Sequence, residues 1–213
     1  SGDSVLTSKF IKSGANDFLS KPFYHEEFYC RIMQNLESQE MIQTIRNSAN
    51  LDPLTKVYNR RFLYEKADEL FSRKATRSNV IVSMIDADNF KGVNDTYGHK
   101  TGDVLLQEFS ALMKDYFPDD LIVRYGGEEF TVVSVRPPKV YLSALSAFMD
   151  AVRTTQFTNH KFNITCSIGV CAEEHPSLES QLEVADARLY NAKRAGRDQI
   201  MLRDTASKSA QLV

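Results

Sequence analysis

The sequence predicts a mixed α/β (α+β) domain, a central sheet with helices packed on it, carried behind a long N-terminal helix. Three observations lead there. From residue 59 onward the apolar spacing switches repeatedly between helical and extended periods, the pattern of helices laid on a sheet. A Gly-Gly turn between two short apolar runs marks a hairpin in the middle of that stretch. Residues 25–50 hold one helical pattern with neither Gly nor Pro. At 213 residues the chain has room for one full domain plus an extension, or for two small domains.

Taken in order, residues 1–23 form a small α/β fragment. Leu6, Phe10 and Ile11 sit at helical spacing, Gly14 stops that helix, and Asp17-Phe18-Leu19 reads as a short strand ending at Lys21-Pro22. One helix and one strand cannot bury a core alone. The helix over 24–50 carries Phe28, Ile32, Leu36, Ile42 and Ile45 as an apolar stripe. That stripe suits a stalk packed on a partner helix, or equally a helix folded back on its own domain. Leu51-Asp52-Pro53-Leu54-Thr55 breaks the helix and opens the main domain, 51–204. A helix over 59–74 places Phe62, Ala67, Leu70 and Phe71 inward. Residues 80–85 are nearly all apolar, the mark of a strand buried on both faces. Gly102-Asp103 precedes a helix over 104–116, with Leu105, Leu106, Phe109, Leu112 and Met113 inward. Strands at 121–125 and 130–135 flank Gly126-Gly127, then come a helix over 141–157 and a strand over 162–172. Ser177 caps a helix bearing Leu178, Leu182, Ala185 and Leu189 that stops at Gly196. Residues 199–202 are the closing strand, and 205–213 are a polar tail.

The bulk numbers exclude several classes. A net charge of -2 gives no general attraction to polyanions, so nucleic acid is not an expected partner and any phosphate site must be built locally. Cys30, Cys166 and Cys171 fit neither a disulfide framework nor a paired metal motif, which points to a reduced, cytoplasmic setting. No apolar run reaches the roughly 20 residues a bilayer requires, and the first residues lack a signal-peptide layout. The expectation is a soluble protein without a membrane partner.

The chemistry gathers at strand ends. The strand at 80–85 runs into Asp86-Ala87-Asp88, where side-chain alternation allows both aspartates the same direction. Glu128-Glu129 form a second acidic pair at the hairpin tip. Pairing of these strands would bring the carboxylates together, a repulsive arrangement tolerated when a hard divalent cation neutralises it. Oxygen-only donors favour magnesium or manganese over zinc. Singly, each acidic pair is an ordinary solvated turn; as two pairs on adjacent strand ends they point to metal. The calcium-loop pattern fails at Phe90 and Lys91, and Gly98-His99-Lys100-Thr101 lacks P-loop spacing. Gly126 and Gly127 supply positive φ for a tight turn and leave room for a bulky ligand. Phe90-Lys91 can offer backbone N–H groups and a cation to phosphates. Lys193 and Arg197, four apart near a helix end, can reach one anion together or form a solvated basic terminus. Asn94 and Asp103 offer an amide and a carboxylate that match the edges of guanine, or serve as loop and N-cap residues.

On these residues the chain resembles the GGDEF family, in its GGEEF form. The signature is Arg124-Tyr125-Gly126-Gly127-Glu128-Glu129-Phe130. Asp52-Pro53-Leu54-Thr55, Asn59-Arg60-Arg61-Phe62, Asp86-Ala87-Asp88-Asn89-Phe90-Lys91, Asn94-Asp95, Gly98-His99, Gly102-Asp103, Ser167-Ile168-Gly169-Val170, Ala185-Asp186, Leu189-Tyr190, Ala192-Lys193 and Gly196-Arg197 extend it across residues 51–203. The resemblance implies a fold like the palm of nucleotide cyclases, with a mostly antiparallel central sheet of about five strands. It implies a diguanylate cyclase condensing two GTP into cyclic di-GMP and pyrophosphate. Carried over residue by residue, Asp86, the carbonyl of Ala87 and Glu128 hold two Mg2+ (or Mn2+) ions. Glu128 also helps deprotonate the attacking 3′-hydroxyl, with Glu129 a lesser contributor. Asn94 and Asp103 read guanine with His99 close by, while Phe90, Lys91, Lys193 and Arg197 hold phosphates. Each subunit presents one GTP, so a homodimer is implied, and cyclic di-GMP receptors act downstream through the product.

Two features qualify the resemblance. Where many family members carry an RxxD product-inhibition site, this chain reads Phe117-Pro118-Asp119-Asp120, which implies weak or absent feedback. Residues 1–23 resemble the last part of a response-regulator receiver domain, through Ser1-Gly2, Gly14-Ala15, Asp17-Phe18-Leu19 and Lys21-Pro22. The phosphoacceptor aspartate would lie upstream, Lys21 would be the phosphoryl contact, and the chain reads as part of a longer two-component regulator. The rival reading is a catalytically silent GTP or cyclic di-GMP binding module. Retention of Asp86, Glu128, Asn94, Asp103 and Lys193 favours an enzyme.

Overall fold

The computed structural model describes residues 17–19, 21–71 and 80–203 and, within its helices, not the side chains at 43, 45–48, 68, 70 and 71. The helix expected around Leu6, Phe10, Ile11 and Gly14, the apolar roles of Ile45, Leu70 and Phe71, and the tail at 205–213 lie outside the described residues. Two compact units divide the chain, Ser1–Ala49 and Asn50–Val213. In the first, α1 (His25–Asn50) is one helix of 26 residues whose first turn carries Glu26 and Glu27, favourable at the positive helix end. Phe28, Ile32, Leu36 and Ile42 all stand exposed on it. Asp17-Phe18-Leu19 is not a strand. Among the described residues they have no ladder partner; instead the Phe18 N–H donates to the Asp17 carboxylate at 2.8 Å, and Arg31 on α1 holds that carboxylate at 2.9 Å.

The second unit is a six-stranded mixed sheet with helices on both faces. Its strands are β1 (Tyr58–Asn59), β2 (Ile81–Ala87), β3 (Leu121–Gly126), β4 (Glu129–Ser134), β5 (Cys166–Cys171) and β6 (Ile200–Met201), in the spatial order β1-β3-β4-β2-β5-β6. The three central pairings are antiparallel and the two outer ones parallel. The sixth strand, β1, is a two-residue edge taken from what the sequence assigns to a helix start. Asn59 instead accepts the Phe62 N–H at 3.0 Å ahead of α2 (Arg60–Phe71).

Strand β2 organises everything else, because every one of its residues is buried. Its side chains alternate. Ile81, Ile85 and Ala87 join one core with Phe109 and Met113 of α4 (His99–Tyr116) and Tyr141, Leu145 and Phe148 of α5 (Pro138–Thr154). Val82 and Met84 join the other with Leu63 of α2 and Leu182, Ala185 and Leu189 of α6 (Leu178–Arg194). Ser83, on the first face, is satisfied by the Tyr141 hydroxyl at 2.7 Å. The same alternation aims Asp86 toward the face that α6 covers. Gly169 of β5 lets α6 approach that closely: a Cβ there would lie 2.1 Å from the Ala185 carbonyl oxygen and 2.2 Å from the Leu189 nitrogen. A further helix, α3 (Phe90–Tyr97), follows β2 where the sequence reading assigns no element, and α4 begins five residues before its expected start at 104.

Candidate active site

The β2–β4 register pairs Asp86 with Glu129, and the Ala87 N–H meets the Glu128 carbonyl at 3.4 Å. The end of β2 and the hairpin tip are thereby side by side. The turn itself is Gly127-Glu128, and only Gly127, at φ 48°, needs left-handed backbone; Gly126 belongs to β3 and does not, contrary to the sequence expectation. From α6, Lys193 donates to Asp86 Oδ2 at 2.6 Å and lies 4.0 Å from Glu129. Burial pushes the Asp86 carboxyl up to about 6; the charges of Glu128 and Asp88 add to the rise and Lys193 opposes it.

Asp86 and Asp88 do not share partners. Asp88 lies in the turn past β2, where strand alternation no longer applies. It is 4% exposed and accepts from the hydroxyls of Thr165 and Ser167, both at 2.7 Å, and from the Asp198 N–H at 3.2 Å. Arg197 Nε stands 3.9 Å from it. Lys193 and Arg197 are therefore not neighbours on one helix face: α6 ends at Arg194, and Arg197 follows in a left-handed turn at φ 65°. The two cations reach the two aspartates separately.

On the far side of the strand end, α3 begins at Phe90 after Asn89, a left-handed residue whose side chain makes no capping bond. The first N–H groups of α3, at Phe90 and Lys91, thus lack a side-chain cap, which leaves that helix end suited to an anion. Lys91 is exposed, and Phe90 packs against the first core. Asn94 sits against Gly102 of α4, where a Cβ would fall 2.0 Å from Asn94 Oδ1. That oxygen is buried and has no hydrogen-bond partner among the described residues. A buried, unpaired amide oxygen is costly and fits a site that awaits a donor. Asp103 and His99 are exposed nearby on α4. Asp103 is inside α4 rather than at its N-cap, because the helix starts at His99 after Gly98.

Do these groups fit a divalent cation? No cluster of three or more His, Cys, Asp or Glu residues arranged to hold a metal occurs among the described residues. The candidate donors are instead two carboxylates, Asp86 and Glu128, and the backbone carbonyl of Ala87. All are hard oxygen donors, and a carboxyl pushed up to about 6 by burial, with the charges of Glu128 and Asp88 adding to the rise, is one that an added cation would relieve. The set fits.

One contact network was not foreseen. Asp52 accepts from the Thr55 N–H at 2.9 Å and its hydroxyl at 2.8 Å, and from Arg124 at 3.1 Å. Arg124 Nε donates in turn to the Gly127 carbonyl at 2.9 Å. The hairpin tip that carries Glu128 is thus braced against the first turn of the domain. The Asp-x-x-Thr spacing at 52–55 was the readable signal for that turn; its long-range partner was not readable. At the RxxD position, Phe117 is fully buried against Tyr141 and Phe148, and both oxygens of Asp120 are engaged by Arg136.

The sequence model described as "Diguanylate cyclase, GGDEF domain" matches residues 49–199. The response regulator PleD of Caulobacter vibrioides is 32% identical over 212 residues, covering 91% of this chain and 46% of that protein. The diguanylate cyclase DgcP of Pseudomonas aeruginosa is 36% identical over 164 residues, covering 73% of this chain and 24% of that protein. The chain therefore spans less than half the length of these relatives. Among solved structures, the coiled coil and GGDEF domain of DgcB from Caulobacter crescentus, in complex with c-di-GMP, aligns with a TM-score of 0.72 at 27% identity, over 83% of this chain and 97% of that one. The diguanylate cyclase SiaD of Pseudomonas aeruginosa, in complex with its activator SiaC, aligns at 0.69 and 28%, over 95% and 77%. By sequence and by fold, this chain belongs to the GGDEF domain family of diguanylate cyclases.

Proposed function

We propose that this protein is a diguanylate cyclase that joins two GTP molecules into cyclic di-GMP. The observation that carries the reading is that the end of β2, with Asp86 and Ala87, lies beside the hairpin tip that carries Glu128 and runs directly into the uncapped start of α3. In each half-reaction the 3′-hydroxyl of one GTP attacks the α-phosphate of the other. A new P–O bond forms, the α–β bridge breaks, and pyrophosphate leaves; the second half-reaction closes the ring.

Asp86, the Ala87 carbonyl and Glu128 would hold two Mg2+ or Mn2+ ions. Bound there, the ions would acidify the attacking hydroxyl and offset charge on the α-phosphate and leaving group. Glu128, at the hairpin tip, takes the hydroxyl proton. The N–H groups of Phe90 and Lys91, with the Lys91, Lys193 and Arg197 side chains, hold the phosphates. Lys193 serves as the resident counter-charge to Asp86 until substrate arrives. Asn94 and Asp103 read guanine, with His99 at the rim; the unpaired Asn94 oxygen supports this role.

Two GTP-loaded sites must face one another, so the active form is a homodimer. The exposed stripe of Phe28, Ile32, Leu36 and Ile42 supplies the face on which a second α1 packs. The likeness to the coiled coil of DgcB supports that use of the helix. We read residues 1–23 as a receiver remnant, 24–50 as the stalk and 51–204 as the catalytic domain, an arrangement the 91% overlap with a response regulator supports. No helix among the described residues is long and apolar enough to cross a membrane, which agrees with a cytoplasmic enzyme. Phe117 in the core and Asp120 engaged by Arg136 support the reading that product inhibition through that corner is weak or absent.

Incubation with GTP and Mg2+ should yield cyclic di-GMP and pyrophosphate, with synthesis lost in Glu128→Ala. Nucleotide binding without synthesis returns the rival, a silent binding module. Tight cyclic di-GMP binding that Asp120→Ala abolishes would overturn the feedback reading.

A further inference from the structure

We infer that Asp88 and Arg153 are positioning residues for GTP, because together they hold the left-handed turn that presents Arg197 to the phosphates. The inference rests on the phosphate role proposed above for Arg197. Gly196, Arg197 and Asp198 have φ of 117°, 65° and 51°, three consecutive residues in the left-handed region. Two of the three carry a Cβ, and such backbone persists only where the surroundings over-determine it.

Here the surroundings are polar tethers rather than packing. One flank of the turn opens on a cavity of about 470 Å³ bordered by Asn89, Val93, Asn163 and Ile164. Asp88 holds the turn from inside through the Asp198 N–H at 3.2 Å, and is itself fixed by the Thr165 and Ser167 hydroxyls. Arg153, on α5, holds it from outside: Nε donates to Asp198 Oδ1 at 2.8 Å and a terminal nitrogen to the Asp198 carbonyl at 3.1 Å. The Arg197 N–H is tied back to the Ala192 carbonyl at 3.0 Å. The Arg197 guanidinium stays exposed, with Nε 3.9 Å from Asp88, too far for a hydrogen bond and free to meet an anion. With three donors already on its carboxylate, Asp88 acts on the backbone of the turn.

The test is displacement of a fluorescent GTP analogue by GTP and by guanosine, on the wild-type chain, Asp88→Asn, Arg153→Met, Arg197→Ala and the Arg153→Met/Arg197→Ala double variant. Arg153→Met leaves the acidic groups untouched, so it reports even where Asp88→Asn folds poorly. Asp88→Asn and Arg153→Met should each weaken GTP about tenfold, the worth of a lost hydrogen bond to a charged group. Guanosine, which lacks phosphates, should compete with every variant as it does with the wild type. Arg153→Met should add nothing once Arg197 is gone. Equal weakening of GTP and guanosine, full additivity in the double variant, or unchanged GTP binding in both single variants overturns the inference. GTP binding that follows the expected pattern without any synthesis refutes the cyclase reading and leaves this inference standing. A wild-type chain that does not bind GTP refutes both.

Discussion

Two buried acids in this domain carry cations of opposite character. Asp120 is 1% exposed at its side chain and both its oxygens are engaged by one Arg136 guanidinium, which also lies 5.6 Å over the Tyr141 ring. Asp86, 7% exposed at its side chain, holds a single Lys193 ammonium and faces the charges of Glu128 and Asp88. The first corner is complete: a planar fork matches a carboxylate and nothing remains to recruit. The second is less complete, because one flexible ammonium serves two carboxylates, Asp86 and Glu129. The difference teaches that one acid–base pair is closed on itself while the other leaves its acids only partly matched by positive charge.

The largest stability effects should separate the two corners. Arg136→Met strands a buried carboxylate and should cost about 3 kcal/mol of unfolding free energy, read by urea denaturation. Lys193→Met should cost only about 1 kcal/mol at neutral pH, since a carboxyl already held near 6 takes up a proton instead of staying charged. Equal losses would erase the distinction. Next in size, Arg124→Lys cannot bridge Asp52 and the Gly127 carbonyl at once, so kcat for cyclic di-GMP synthesis should fall about tenfold while the fold is kept. Smallest is a pH effect at a third pair. Burial raises the Glu173 carboxyl, but the two bonds from Arg188 and backbone donors outweigh it and hold the group at about 2. Its folded value lies below the ordinary 4.5, so the stability it confers is complete above that pH and fades as pH drops toward 2. Glu173 is half exposed, which keeps the effect small. Arg188→Met should flatten the decline in urea midpoint across that interval.

How much of this was legible in the sequence depends on what fixes each piece. The apolar run at 80–85 was readable because both faces of β2 are buried, and that strand sets the alternation placing Asp86 beneath α6. The hairpin was readable from its glycines. Strand β1 was not, since two residues paired with Val123 and Arg124 carry no periodicity. Helix α3 is only eight residues long and contains Gly92, its Asn89 makes no capping bond, and Phe90, Val93 and Tyr97 are too short an apolar stripe to announce it. The separation of Lys193 from Arg197, and of Asp86 from Asp88, is imposed by partners far away in sequence: Thr165, Ser167, Asp198 and Arg153. Local spacing cannot report a turn that distant side chains hold open.

The central claim is that the end of β2 and the hairpin tip together hold the divalent cations beside bound GTP. Titration of Mn2+ into the GTP-loaded protein, followed by electron paramagnetic resonance, tests it most directly. The account predicts tight Mn2+ uptake by the wild type that is weakened at least about tenfold in both Asp86→Asn and Glu128→Gln. Undiminished Mn2+ uptake by the two variants would contradict it.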